Sequence, residues 1–82
     1  MPKKPNREAV ASRLVRLLAE ERLRQGLSMS AVAERAGISV TMVSFVEREL
    51  RHPTLDTLLR ISEAMGVSLG VLLLKAEQAV HP

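Results

Sequence analysis

The stretch LSMSAVAERAGISVTMVSFVE, Leu27 to Glu47, fits two short helices joined by a tight turn. Ser28 and Ser39 are each placed to cap a helix N-terminus, because a serine hydroxyl accepts one of the orphan amides of the first turn. Val32, Ala33 and Ala36 form an apolar stripe at helical spacing, and Val43 with Val46 repeats it on the second helix. Gly37 offers the left-handed conformation that ends a helix, and Ile38 plugs the gap between the two. Outward from this pair the chain reads as five helices and no strands. Helix 1 is expected over about Arg7 to Gln25, capped by Asn6 and stopped by Gly26, with Val10, Leu14, Leu17 and Leu18 inward. The central pair covers about Met29 to Ala36 and Val40 to Arg48. A loop, Glu49 to Pro53, precedes a helix capped by Thr54 whose Leu55, Leu58, Ile61, Ser62 and Met65 face the core, and Gly66 closes it. Ser68 caps a last helix from Leu69 to about Ala79. The expected fold is therefore all-α, a compact five-helix bundle, with an arm over residues 1–6 and one domain over residues 7–80.

Composition narrows what such a bundle does. With 82 residues the chain makes one modest core, burying about 60% of the surface of the unfolded chain. Phe45 is the only aromatic residue, so stacking on single-stranded bases has almost no platform. There is no cysteine, and His52 and His81 are too far apart in sequence to suggest zinc; no metal or cofactor is implied. The N-terminus lacks the apolar core of a signal peptide, and nowhere do about 18 apolar residues run together, which predicts a cytoplasmic protein with no membrane partner. The net charge is +3, and residues 1–24 hold seven of the twelve basic residues against three acids. That asymmetry suits a polyanion, although a solubilising face has the same composition. No nucleophile with a spaced histidine base, paired-carboxylate signature or phosphate-cradling glycine loop is present, so an enzyme is not expected.

Two helices separated by a three-residue turn with glycine are the pattern of a helix-turn-helix, whose second helix can lie in the DNA major groove. Beyond the pair stand Arg22, Gly26-Leu27-Ser28, Glu47, Pro53-Thr54-Leu55, Leu58, Ile61, Ala64 and Gly66-Val67-Ser68, many separate positions at fixed spacing. On these residues, across roughly 14 to 74, the chain resembles the Cro and phage-repressor type helix-turn-helix family, with its lambda-repressor-like fold. In length and layout it is similar to restriction-modification controllers. The resemblance implies base contacts at Val40, Thr41, Ser44 and Phe45, and an ion pair between Arg22 and Glu47 that tethers the second helix. It also marks departures. None of the base-contacting positions is Arg, Gln or Asn, the residues with forked donors for guanine or adenine. Met29 replaces a frequent glutamine, and Glu49 stands where glycine commonly allows positive φ, so either the helix runs on or Glu49 is strained.

Physical chemistry assigns further roles. Val40, Thr41, Met42, Ser44 and Phe45 are the outward residues of the second helix if Val43 and Val46 point inward; Thr41 and Ser44 can hydrogen-bond bases while the others pack on thymine methyls. Phosphates are expected against the first-turn groups of Ser28, Met29, Ser30 and Ser39 and the basic groups Lys3, Lys4, Arg7, Arg48, Arg51 and His52. The apolar run Val71-Leu72-Leu73-Leu74 goes round a helix by more than one core-facing stripe, so a second copy is expected to cover the excess, with Val71, Leu74 and Gln78 at the two-fold contact. A dimer of this kind sets the paired helices ~34 Å apart on a roughly palindromic operator. The expected function is a homodimeric, autoregulatory transcriptional regulator of double-stranded DNA, with no small-molecule effector evident. The alternative is an antitoxin-like or other protein-interaction module, in which the face around Phe45 or the last helix binds a protein partner.

Overall fold

The computed structural model describes residues 6–81, and among these all regular structure is helical: α1 (Arg7–Arg24), α2 (Met29–Ala36), α3 (Val40–Glu47), α4 (Leu55–Ala64) and α5 (Leu69–Val80). Each helix begins on the residue its sequence marks. Asn6, Ser28, Ser39, Thr54 and Ser68 all have extended backbone and accept a first-turn amide through the side chain, from Ala31 at 3.0 Å for Ser28 and from Met42 at 3.0 Å for Ser39.

Helix ends are equally local. After α2, Gly37 takes φ +70°, its amide reaches the Glu34 carbonyl and the Ile38 amide reaches that of Ala33, which uses up two carbonyls the helix leaves orphaned. The same pair of bonds closes α1 at Gly26-Leu27 and α4 at Gly66-Val67, and each time the apolar residue packs on the core and the next serine starts a new helix. Gly-apolar-Ser thus acts three times as a stop, a wedge and a start.

The core comprises Val10, Leu14, Val15 and Leu18 of α1, Val32 and Ala33 of α2, Val43 and Val46 of α3, Ile61 of α4, Met65 beyond its end, and Leu69, Leu72 and Ala76 of α5. Helix α1 lies along α5 and also touches α3, while α2 packs on both α3 and α4. Leu17, expected inward, is only partly buried at the core's edge. Leu55, also expected to face the core, is 66% exposed. At 100° per residue it points about 70° away from the centre of the stripe formed by Leu58, Ile61, Ser62 and Met65. Helix boundaries differ from expectation by one residue at the ends of α1, α3 and α5.

Candidate nucleic-acid interface

Between α2 and α3 the chain bends by 115° across Gly37, Ile38 and Ser39. This matches the crossing of roughly 90–120° that lets one helix enter a groove while the other spans the backbone. Because Val43 and Val46 are buried, the opposite face of α3 carries Thr41, Ser44 and Phe45, with Arg48 continuing it past the last turn. Thr41 and Arg48 are exposed, and Ser44 and Phe45 half-buried. Val40, at the N-terminal tip, is 45% exposed.

Met42 does not belong to that face. Expected outward, it is half-buried and packed on the core, since it flanks the Val43–Val46 stripe and its flexible thioether chain can fold over the edge. Met29 likewise packs against the core, leaving its backbone amide as the group available to an anion. Phe45 is not the open apolar knob expected from sequence. It is half-buried, and the Arg51 guanidinium lies 5.5 Å from its ring centroid.

The first turns of α2 and α3 leave the amides of Met29 and Ser30, and of Val40 and Thr41, ahead of the first intrahelical bonds, with the exposed Ser28, Ser30 and Ser39 beside them. Basic groups gather at a second edge. Arg7 and His52 line one groove, and a contiguous one is lined by Arg51, His52 and Pro53 against Val15 and Val46. Glu8 and Glu49 share it and dilute its positive charge. Lys3 and Lys4 lie outside the described residues.

Arg22 and Glu47 hold the assembly from behind. Arg22 Nε donates to Glu47 Oε2 at 2.7 Å and Nη2 to Oε1 at 2.9 Å, while Nη1 donates to the Leu27 carbonyl at 2.9 Å. One guanidinium therefore joins the end of α1, the α1–α2 turn and the last residue of α3. Its hydrogen bonds to Glu47 raise the Arg22 pKa above the ordinary arginine value.

Glu49 resolves the alternative left by the sequence: α3 stops, and Glu49 takes φ +58°. Its amide reaches the Val46 carbonyl and the Leu50 amide that of Phe45, the same closure that glycine supplies elsewhere.

Two further supports have no counterpart in the expected site. Arg60 Nη1 donates to the Ala36 carbonyl at 3.3 Å, at the base of the turn between α2 and α3, while its Nε donates to Asp56. The i,i+4 spacing of Asp56 and Arg60 was the only signal in the sequence. Gln25 bridges the ends of α1 and α4, donating to Glu21 and to the Met65 carbonyl, each at 2.8 Å.

Val71, Leu74 and Gln78 are exposed along one side of α5, opposite the buried Leu69, Leu72 and Ala76. Leu73 lies nearer the core yet remains 39% exposed. Among the described residues no single helix is long and apolar enough to cross a membrane.

Comparison with known proteins meets this geometry at the same residues. Residues 18–72 match the model of the helix-turn-helix family HTH_3. An HTH-type transcriptional regulator of Sinorhizobium fredii, y4dJ, is 39% identical over 62 residues, covering 76% of this chain and 75% of its own. The Mycobacterium tuberculosis HTH-type transcriptional regulator Rv0474 is 46% identical over 50 residues, which is 61% of this chain and 36% of that relative, so the match spans about a third of its length. Among solved structures, the restriction-modification controller protein C.Esp1396I superposes with a TM-score of 0.76 at 23% identity, over 85% of this chain and 95% of that one, a likeness of fold. A variant of that controller has been solved bound to its highest affinity operator site. With the bend, the capped helix pair and the outward face of α3 all inside the matched residues, the chain belongs to the Cro and phage-repressor type helix-turn-helix family of transcriptional regulators.

Proposed function

We propose that this protein binds double-stranded DNA as a homodimer, placing one α3 in the major groove of each half of a roughly palindromic operator. The observation that carries the reading is the face of α3 opposite Val43 and Val46, where Thr41, Ser44 and Phe45 remain outward while the first turns of α2 and α3 keep amides free for phosphate. Hydroxyls and one apolar ring make thin direct readout, so shape and deformability of the duplex supply part of the discrimination. Arg7, Arg48 and His52 serve the phosphates, with the edge lined by Arg7 and His52 following the backbone.

Support for the dimer comes from α5. Val71 and Leu74 are 52% and 54% exposed, and with Gln78 they occupy a single face that the monomer does not cover. If operator binding requires that dimer, occupancy rises steeply with protein concentration. An operator overlapping its own promoter then makes the protein a repressor of its own synthesis.

Selection of bound duplexes from a random pool tests this reading. The expected product is a motif with two-fold symmetry and half-sites about 10 base pairs apart. Failure to enrich any motif at low salt, together with recovery of a stoichiometric protein partner, would move the function to a protein-interaction module.

A further inference from the structure

We infer that Arg51, held over the ring of Phe45, is a specificity-determining residue that reads a guanine in each half-site, supplying the forked donor that α3 itself lacks. The inference rests on the operator reading above and refines it. From Val40 to Glu47 no residue can make a bidentate contact to a base; the best donors are the single hydroxyls of Thr41 and Ser44. Arg48 follows on the same face, but it is the C-cap, at the end of the helix away from the turn with α2. Reading of bases by a helix-turn-helix concentrates in the N-terminal part of the second helix.

Arg51 reaches a more central position by a detour. The positive φ of Glu49 folds the chain back on α3, with the Leu50 amide on the Phe45 carbonyl. The Arg51 guanidinium then comes to rest 5.5 Å from the centroid of Phe45, a residue that lies about one turn before Arg48. Cation–π attraction to a ring uses none of the N–H groups of a guanidinium as hydrogen-bond donors to an acceptor, and those are the groups that pair with guanine O6 and N7. Among the described residues no carboxylate lies within ion-pair distance of Arg51. The ring therefore holds a long, flexible side chain beside the groove-facing surface before DNA arrives, which lowers the ordering cost of the contact.

The test is duplex selection with the full chain, followed by affinity measurement on the selected duplex and on single-base variants. Wild type, Arg51→Ala, Arg51→Lys, Phe45→Leu and Arg48→Ala are compared, each checked for unchanged helicity and oligomeric state. Arg51→Ala and Arg51→Lys are expected to lose about 10-fold or more of the preference for guanine at one symmetric position while keeping the rest of the motif. Phe45→Leu weakens the same preference, whereas Arg48→Ala lowers affinity for all duplexes alike. The assignment is overturned if Arg51→Ala leaves the motif intact and merely reduces the salt slope by about one, the mark of a phosphate contact. A wild type that enriches no motif brings down the operator reading and this assignment with it, whereas a motif unchanged in Arg51→Ala brings down the assignment alone.

Discussion

Arg22 and Glu47, 25 residues apart, meet through two parallel hydrogen bonds with both side chains only 12% exposed. A forked pair this well shielded fixes direction as well as distance, so the last residue of α3 is locked to α1. Removing one partner leaves the other charge in a place water scarcely reaches. Arg22→Ala or Glu47→Ala is expected to cost about 2–4 kcal/mol, somewhat below the range for a fully buried pair. Thermal unfolding of the single and double variants, treated as a cycle, checks this; a coupling below about 1 kcal/mol would assign the pair the value of a surface ion pair.

The turn between α2 and α3 is held from outside by Arg60, whose Nη1 also stands 3.4 Å from where a Cβ on Gly37 would lie. Gly37→Ala meets the left-handed backbone, with the Arg60 guanidinium at ordinary contact distance, and is expected to cost about 1–2 kcal/mol. Arg60→Ala in the Gly37→Ala background should return none of this, because the cost lies in the backbone. Denaturant melts of the single and double variants check it, and a recovery of stability in the double variant would mean that the side chains clash.

Glu49 offers a gain. Its φ of +58° is the one positive value at a non-glycine residue among those described. Glu49→Gly removes the strain at a closure already made, and is expected to stabilise by about 0.5–1 kcal/mol, or about 2–8 °C in Tm. A lowered Tm would mean that the carboxylate does more at this site than its backbone geometry indicates.

Acid should weaken the joint between α1 and α4 through Glu21. Hydrogen bonds from Arg24 and then Gln25 hold its carboxyl at about 2, below the ordinary value of 4.5. A carboxyl lowered on folding binds its proton more readily in the unfolded chain, so its stabilising contribution is present above about pH 4.5 and is lost as pH falls towards 2. Glu21→Gln should flatten the decline of Tm across that window; an unchanged pH profile would show that the group contributes nothing to it.

Leu74→Glu places a charge in the centre of the proposed two-fold contact on α5. Sedimentation is expected to show a folded monomer with operator affinity reduced at least 10-fold, because each half-site then binds without its neighbour. A variant that remains dimeric would place the contact elsewhere, and the exposed Leu55 or Leu59 of α4 would be the next surface to test.

What is legible in the sequence is what the chain decides locally. The five caps, the three Gly-apolar-Ser junctions and the stripes of α2 and α3 each depend on residues within one or two turns, so composition and spacing suffice to place them. Family resemblance pointed to Arg22 and Glu47, but not to the third bond that Arg22 sends to Leu27. Packing direction within a stripe was less legible: Met42 turned to the core and Leu55 away from it, because both sit on the flank of a helical stripe, where the neighbouring helix decides which way a side chain goes.

By itself, then, the sequence determined that five helices form, where each begins and, to within a residue, where each ends, and that two of them pair around a tight turn with an outward face. Tertiary structure alone decided that Arg60 reaches the Ala36 carbonyl across 24 residues, that Gln25 reaches Met65 across 40, and that Arg51 lies over Phe45. Helix formation and capping are set by neighbours along the chain, whereas a long polar side chain has many rotamers of similar energy, and only the surrounding fold brings the partner that selects one.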